Sequence, residues 1–285
     1  MVAPLWSRLL FRASRALSSG DVAQQILRDE LLFAYMHPKQ RGALTTAAYA
    51  MNGDYVPGGE IFGAGLFPWE KALLQDPRIP SRGKVLVAAA GGGREVAALL
   101  ARGYEVYAFE PVRPFLESAQ RVVQGSGSRV VQASYEDLVE YAAGRAGGPL
   151  SDCTGPFDLC LLGWGSLSHL TEPAVVVQVL RGLRRLAPRS PVITSFLLRG
   201  SEPAATNGRA RRLRRAVRGA LQSLGGRPTP PGLRFLTSAG FLYSFSRDEL
   251  FELCQRAGYS VDYFSDRDYP HALLLPLETS AGAGS

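Results

Sequence analysis

From Lys84 onward, short apolar runs alternate with amphipathic segments, and this alternation constrains the fold more than any other feature of the sequence. The runs predicted to be strands are KVLVAAA, YEVYAFE, RVVQAS, FDLCLLG and SPVITSFLL. Strands that are apolar throughout are buried on both faces, and helices that cross between them make neighbouring strands parallel. We therefore predict an α/β fold built on a doubly wound, mainly parallel sheet.

The end of the sequence breaks this alternation. The segment SRDELFELCQRAG is predicted to be a helix, and the strands YSVDYF and HALLLPL follow it with only about seven residues between them. A parallel crossover needs about a dozen residues or more, so one of these two strands must run antiparallel. The sequence thus predicts a sheet with an antiparallel last strand.

Residues 1–80 are predicted to form an N-terminal helical cap on a domain over residues 81–278. The segment DVAQQILRDELLFAYM has helical periodicity, with Asp21 in the N-cap position. A stretch rich in Gly and Pro follows it and contains several aromatic side chains.

The first 20 residues carry three arginines and no acid, a composition shared with organelle transit peptides. Apolar residues recur there at helical spacing, at Leu5, Leu9, Leu10, Ala13 and Leu17, and no cleavage site follows an apolar stretch. We therefore interpret this segment as part of the folded protein.

Composition excludes several classes of protein. With 285 residues, 46% of them apolar and 20% charged, the chain can bury a core of its own, so a disordered protein is not expected. The three cysteines include no CxxC pair, so neither a disulfide framework nor a metal site is expected. No apolar run reaches about 18 residues, so we expect a cytoplasmic protein that is not integral to a membrane.

The net charge of +7 is concentrated in one region. Between Arg181 and Arg234 the sequence has 13 arginines and one acid, Glu202. The insert at about residues 200–233 contains GRARRLRRAVRGALQSL, an amphipathic basic helix. Its apolar stripe consists of Leu213, Val217, Leu221 and Leu224. Such a helix is either a solvated surface element or a surface that captures an acidic acceptor, a membrane or a nucleic acid.

The first predicted strand runs into AAAGGGRE, where Gly91, Gly92 and Gly93 are consecutive. Without side chains they let the backbone approach a ligand closely, and the next helix presents its N-terminus at the same place. In doubly wound sheets, nucleotide-like ligands bind at such turns, at the carboxyl ends of the strands. The alternative is a tight turn selected for packing alone.

The second predicted strand ends at Glu110, 17 residues after Gly93. A carboxylate there can accept hydrogen bonds from both hydroxyls of an adenosine ribose, and the alternative is a solvated acid at a strand end. The dinucleotide fingerprint G-x-G-x-x-G/A fails, because its third small residue would be Val96. An NAD-dependent oxidoreductase is therefore the least favoured function.

Together these motifs resemble the class I S-adenosylmethionine-dependent methyltransferases. VLVAAAGGGRE is similar to the family's first motif, YEVYAFEP to its second and VVQASYEDL to its third. FDLCLLGWGSLSHL resembles the segment after strand four, and FSRDELFELCQRAGYSV the elements that precede the reversed strand. The resemblance covers about 200 residues. It implies a Rossmann-like fold and S-adenosyl-L-methionine as the cofactor. It also implies these cofactor-binding residues: Ala89, Gly91, Gly93, Glu95, Glu110, Pro111, Tyr135, Glu136, Gly163 and Trp164.

The chain departs from the family pattern in its first motif. Where the family commonly has an acid in strand one and a first glycine, this chain has Val87 and Ala89. Glu95 is a candidate to replace the acid, because from the first helical turn its carboxylate can reach the ligand's ammonium group. An acid at that position also suits a helix N-terminus for structural reasons alone.

A second departure is in the third motif. Ser134 stands where the family often has an acid that contacts the adenine amino group. Three neighbouring residues, Tyr135, Glu136 and Asp137, are candidates to replace it, and we choose Glu136.

The resemblance also bears on catalysis. A sulfonium methyl group is already activated, so transfer mainly requires that donor and acceptor be aligned and water excluded. A hydroxyl acceptor would be helped by a general base, and His169, just beyond strand four, is the best-placed histidine. A histidine there can equally have a structural role. Trp164 and the group Tyr55, Phe67 and Trp69 form either an aromatic wall over the ligands or a packed core.

The predicted function is transfer of a methyl group to an O or N atom of a small or medium-sized organic acceptor. A nucleic-acid methyltransferase is less favoured, because GWGS lacks the Asn/Asp-Pro-Pro-aromatic string of base-amino methylation. A non-catalytic regulatory protein that binds S-adenosylmethionine is a third hypothesis, raised by Val87 and Ala89. The sequence determines neither the acceptor nor the oligomeric state.

Overall fold

The computed structural model describes residues 4, 6–10, 22–145, 147–153, 155–200 and 208–278. Two compact units share the chain: a larger unit of residues 53–197 and 247–285, and a smaller unit of residues 1–52 and 198–246. The bounds of these units differ from those of the predicted cap, 1–80, and the predicted domain, 81–278. The cap and the domain stay a prediction. In the N-terminal segment with helical spacing, residues 6–10 are helical, and residues 11–20 lie outside the described residues. Asp21, the predicted N-cap of the next helix, also lies outside them.

The strands are β1 (Lys84–Ala88), β2 (Glu105–Phe109), β3 (Arg129–Val131), β4 (Leu159–Leu162), β5 (Val192–Ser195), β6 (Leu197–Leu198), β7 (Leu233–Leu236), β8 (Gly240–Phe245), β9 (Tyr259–Ser265) and β10 (His271–Pro276). The helices are α1 (Val22–Tyr35), α2 (Pro38–Tyr49), α3 (Glu60–Gly63), α4 (Pro68–Leu73), α5 (Arg94–Leu100), α6 (Arg113–Val122), α7 (Tyr135–Ala142), α8 (Pro173–Leu186), α9 (Gly208–Ser223) and α10 (Arg247–Arg256). None of the described helices is long and apolar enough to cross a lipid bilayer.

The larger unit is built on a seven-stranded sheet of order β3-β2-β1-β4-β5-β10-β9. The strands from β1 to β5 pair in parallel, and β10 is antiparallel to both β5 and β9. Every residue of β4 and β5 is buried, as expected for strands covered on both faces. The predicted fold class, with its reversed last strand, is therefore confirmed.

Two sets of helices cover the sheet. Helix α5 packs against α6, while α8 contacts both α7 and α10. The chain leaves β1 toward β2 on one side and reaches β4 on the other, so the strand order reverses at β1. In open α/β sheets the crevice at such a reversal, outside the carboxyl ends of the strands, is where ligands bind. The glycine turn after β1 lies at this place.

The smaller unit contains a helix, α2, and a hairpin of β7 and β8 that were not predicted from the sequence. Helix α1 ends at Tyr35, and Pro38 begins α2, because proline is well suited to the first helical turn. The side chain of His37 caps α2 by accepting a hydrogen bond from the Lys39 N–H. The region after the predicted helical insert also contains the antiparallel pair β7 and β8.

The core of the smaller unit explains why these elements form. Its buried side chains come from α1, α2, β7 and β8: Leu32, Phe33, Met36, Leu44, Ala48, Leu233, Phe235 and Phe241. A Cβ atom on Gly240, which has φ +73°, would lie 2.4 Å from the Cα of Thr45 in α2. The hairpin therefore depends on a close contact with residues almost 200 positions away in the sequence, which local periodicity does not reveal.

Candidate functional site

The turn after β1 has an unusual backbone conformation. Ala89, Gly91 and Gly93 have φ values of +56°, +54° and +97°, all in the left-handed region that glycine adopts most easily. Gly93 is also the N-cap residue of α5. Ala89 therefore has a conformation that glycine adopts more easily, at a cost of about 1–2 kcal/mol.

Gly92 lies in contact with the segment of residues 53–56. A Cβ atom on Gly92 would lie 1.9 Å from the carbonyl oxygen of Tyr55. A Cβ atom on Gly91 would meet no atom within 4 Å. The two neighbouring glycines therefore serve different purposes: Gly92 is required for close packing, and Gly91 for its backbone angle.

We expect Gly92→Ala to lower the free energy of unfolding by about 2 kcal/mol, because the new methyl group overlaps backbone that must move away. Gly91→Ala is the matched control, with an expected loss of about 1 kcal/mol from its positive φ alone. Urea unfolding followed by circular dichroism measures both values. A loss for Gly92→Ala no larger than that of the control would contradict this packing role.

Glu110 directly follows β2 and lies against the glycine turn. Its Oε2 atom accepts a hydrogen bond from the Gly91 N–H at 2.8 Å, and its Oε1 atom accepts one from the Val112 N–H at 2.8 Å. The residue is only 4% exposed. Burial raises the pKa of Glu110 to about 7, although both N–H groups act in the opposite direction. The carboxyl group is thus held at the turn in a state that titrates near neutral pH.

Beside the turn, Arg94 forms a buried ionic cluster with Glu70 and Glu95. Its two terminal nitrogens donate to both oxygens of Glu70 at 2.6 and 2.7 Å, and one of them donates to Glu95 at 2.6 Å. The three residues are 5%, 1% and 5% exposed. Burial raises the pKa of Glu70. With both acids ionised, two carboxylates face one guanidinium, so the cluster carries one net negative charge.

The cluster is connected to the end of β4. The backbone N–H of Trp164 donates to Oε1 of Glu95 at 3.0 Å. Gly163 is packed against the glycine turn after β1, since a Cβ atom on Gly163 would lie 2.3 Å from the carbonyl oxygen of Ala89. Gly163, Trp164, Glu95 and Ala89, which the family resemblance selected from separate motifs, are therefore in contact.

Aromatic side chains surround the indole of Trp164. Its ring centroid lies 4.9 Å from that of Phe67, 5.3 Å from that of Tyr269 and 6.3 Å from that of Tyr55. The Trp164 Nε1 atom is buried and has no hydrogen-bond acceptor among the described residues. Trp69 stacks on His271 at 4.8 Å, within the core cluster against which Trp164 packs. Of the predicted aromatic group, Tyr55 and Phe67 thus adjoin Trp164.

The candidates of the third motif have different surroundings. Asp137 forms a capping box with Ser134, accepting from its N–H at 2.8 Å, which occupies this carboxylate in starting α7. Tyr135 is buried and its hydroxyl donates to Oγ of Ser166 at 2.8 Å. Glu136 is exposed in the first turn of α7. Asp137 is therefore the least available of the three candidates.

Two further predicted residues are placed without a defined role. His169 ends the 3-10 helix Ser166–His169, which follows β4, and is partly buried. Pro111 directly follows Glu110 and is also partly buried. Their proposed contacts with an acceptor or cofactor stay predictions.

The sequence analysis did not select Glu70, Arg94, Ser166 or Tyr269. Arg94 follows the glycine turn directly, and Glu70 stands two residues after Pro68 in FPWE, a pattern typical of a helix start. Glu70 does accept a hydrogen bond from the Phe67 N–H at 2.7 Å. Its pairing with Arg94, 24 residues away, has no signal in a single sequence.

No family model matches this sequence, and no curated protein matches it either. Solved structures do match. One is a 1,6-didemethyltoxoflavin N1-methyltransferase from Burkholderia thailandensis, with bound 1,6-didemethyltoxoflavin and S-adenosylhomocysteine. It is 19% identical with a TM-score of 0.56, and the match covers 85% of this chain and 91% of that one.

Two other matches agree with it. A S-adenosylmethionine-dependent methyltransferase from Leishmania major is 15% identical with a TM-score of 0.54, over 93% of this chain and 90% of that one. An amino pentose methyltransferase from Micromonospora echinaspora, with bound S-adenosylmethionine, is 13% identical with a TM-score of 0.51, over 76% and 94%.

The chain has the class I methyltransferase fold. The fold that the sequence motifs implied is thereby confirmed. Identities below 20% establish the fold and no more, so the activity of this methyltransferase-like chain is argued below from its own residues.

Proposed function

We propose that this chain is an enzyme that transfers a methyl group from S-adenosyl-L-methionine to an O or N atom of a small or medium-sized organic acceptor. The observation that carries the proposal is the position of Glu110. Its carboxyl group adjoins the glycine turn after β1, at the carboxyl ends of two parallel strands. That is the position from which an acid accepts hydrogen bonds from ribose hydroxyls.

The residues present suit an adenosyl sulfonium ligand in three ways. Each oxygen of Glu110 accepts one backbone hydrogen bond and keeps a second lone pair for a ribose hydroxyl. The buried cluster has two carboxyl groups, Glu70 and Glu95, to one guanidinium, Arg94, an excess of acidic groups that complements a cationic ligand. The indole N–H of Trp164 is a buried donor that lacks an acceptor in the described part of the chain.

The proposal assigns each part of the ligand to residues of the chain. Glu110 binds the ribose, and Tyr135 and Glu136 adjoin the adenine. The turn of Ala89, Gly91 and Gly93, with Glu95, Gly163 and Trp164, holds the part of the ligand that carries the sulfonium; Pro111 completes the ribose side. The bound cofactor supplies an electrophilic methyl group.

The protein's contribution to transfer is then alignment and exclusion of water. The rings around Trp164 provide an apolar surface next to the charged cluster, and His169 after β4 serves as the general base for a hydroxyl acceptor. Two neighbours of the same fold act on small molecules, 1,6-didemethyltoxoflavin and an amino pentose by their descriptions. Their substrates support a small-molecule acceptor.

The non-catalytic alternative loses part of its motivation. It was raised by Val87 and Ala89, yet Ala89 has a left-handed backbone, the conformation that glycine adopts most easily. An alanine at this position is therefore compatible with the tight turn after β1.

Calorimetric titration with S-adenosylmethionine and S-adenosylhomocysteine tests the proposal, followed by a methyl-transfer assay with a panel of O- and N-acceptors. We expect saturable binding of both ligands. The proposal fails if neither binds at millimolar concentration. Binding without product from any acceptor would favour the regulatory alternative.

The proposal predicts a specific pH dependence. Because burial raises the pKa of Glu110 to about 7, the ionised form that accepts two ribose hydrogen bonds predominates only above that value. Affinity for S-adenosylhomocysteine should therefore fall about tenfold between pH 8 and pH 6. Glu110→Gln removes the titrating group, so its affinity should vary little over this range. A wild-type affinity that is constant with pH contradicts the assignment.

The same group has the opposite effect on the ligand-free protein. Its folded pKa lies above the reference value of 4.5, so its contribution to stability is complete below pH 4.5 and is lost as pH rises through 7. Because the ligand binds more tightly at pH 8, it should raise the melting temperature more at pH 8 than at pH 6.

A further inference from the structure

The charge of the protein is divided unevenly between its two compact units. The smaller unit has 15 Lys and Arg residues and four acidic residues, a net charge of +11. The larger unit has 17 Lys and Arg residues and 21 acidic residues, a net charge of −4. A positive charge this large on about 100 residues attracts polyanionic partners.

No exposed carboxylate offsets this charge in the described part of the smaller unit. Its acids there are Asp29 and Glu30, which are 7% and 1% exposed. Arg218 donates to both oxygens of Glu30 at 2.8 Å, and Arg214 lies 3.6 Å from a carboxylate oxygen of Asp29. Two arginines of α9 are thus used to hold the helix against α1.

The rest of α9 faces solvent. Four further arginines are exposed, at Arg209, Arg211, Arg212 and Arg215. Of the apolar stripe, Leu213 is 39% exposed and Leu224, directly after α9, is 74% exposed, whereas Val217 and Leu221 are partly buried. No residue of α9 is fully buried. The helix is therefore amphipathic, and the described chain covers its apolar stripe only in part.

Exposed apolar side chains are concentrated in the same unit. Of the eleven large apolar residues exposed in the described chain, nine belong to it: Trp6, Leu9, Val22, Leu27, Tyr35, Met51, Leu213, Leu224 and Leu236. On α1, Leu27 and Tyr35 are two helical turns apart and share one face. Tyr35 also contacts α9, since its hydroxyl lies 3.5 Å from the carbonyl oxygen of Leu221.

We propose that α9 and the adjoining face of α1 form a surface that binds anionic lipid bilayers. Arginine with exposed leucine in an amphipathic helix is the combination that lies in a bilayer interface, where the apolar side chains enter the acyl region and the cations meet lipid phosphates. A nucleic acid would account for the arginines alone. It offers phosphates and stacked bases but no apolar layer for exposed aliphatic side chains such as Leu224.

Sedimentation of the full chain with vesicles tests this surface. We expect binding to vesicles of phosphatidylcholine with about 30% phosphatidylserine, weaker binding at high salt, and little binding to phosphatidylcholine alone. The triple variant Arg209→Gln, Arg212→Gln, Arg215→Gln should lower the vesicle partition coefficient about 100-fold. Leu224→Gln should lower it about tenfold, because the leucine then no longer enters the bilayer.

The matched control changes three exposed arginines of the larger unit to glutamine: Arg121, Arg189 and Arg267. It alters net charge equally and should lower binding less than fivefold, because those residues lie outside the proposed surface. Absence of binding to anionic vesicles, or an equal loss in both triple variants, overturns the proposal. The proposal also fails if the protein binds a single-stranded RNA and Leu224→Gln changes neither RNA binding nor vesicle binding. That result would assign the arginines to nucleic acid.

Discussion

Replacing Arg94 with methionine should lower the free energy of unfolding by about 3–5 kcal/mol. The guanidinium of Arg94 is the cation that pairs with the buried carboxylates of Glu70 and Glu95. Without it, each ionised carboxylate remains in a medium of low polarity with no compensating charge, which is the costly way to break a buried ion pair. Methionine keeps much of the side-chain volume, so the loss reports charge more than packing.

Urea unfolding at pH 7.5 measures this loss, and two comparisons identify its cause. Adding Glu70→Gln to the Arg94→Met variant should restore part of the stability, because one unpaired carboxylate is then neutral. Lowering the pH to 5 should also reduce the deficit, since burial already raises the pKa of Glu70. The control is Arg102→Met, at an exposed residue just after α5, which should lose little stability. A loss below about 1 kcal/mol, or no recovery in the double variant, would refute the ionic account.

Replacing Glu110 with alanine should weaken binding of S-adenosylhomocysteine about 100-fold or more. The proposal gives this carboxylate two hydrogen bonds to ribose hydroxyls, and each hydrogen bond to a charged group contributes about 1.5–3 kcal/mol. The variant also leaves the Gly91 and Val112 N–H groups without their present acceptor. Some loss of stability is therefore expected together with the loss of affinity.

Isothermal titration calorimetry measures the affinity, and the melting temperature of each variant shows that it is folded. Glu110→Gln keeps acceptor oxygen and should bind more tightly than Glu110→Ala. Glu105→Ala, at the exposed start of the same strand, should bind like the parent protein. If folded Glu110→Ala keeps an affinity within twofold of the parent, then Glu110 does not bind the ribose and the proposed function loses its main support.

The sequence predicted the parts of this protein that depend on local patterning. Strands β1, β2 and β4 each contain a run of four apolar residues, and burial on both faces of a sheet allows few other side chains there. The short link between β9 and β10 forced one of them to be antiparallel, which the pairing confirms. The glycine turn and Glu110 were found because each directly follows a strand, at the edge where such sheets bind ligands.

Some local signals were present and were not used correctly. Pro38 is such a signal, because proline begins helices, and His37 caps α2 at that point. Ser134 and Asp137 have the spacing of a capping box, which makes Asp137 the least available candidate for an adenine contact.

What only the tertiary structure decided are contacts between residues that are distant in the sequence. Glu70 pairs with Arg94 across 24 positions, and the carbonyl of Tyr55 packs on Gly92. The hairpin of β7 and β8 packs on α2, and two leucines of the predicted apolar stripe, Leu213 and Leu224, are exposed. Periodicity shows which side of an element is apolar, because it follows from the geometry of the helix or strand itself. It does not show whether another element covers that side, since this depends on the folded chain as a whole.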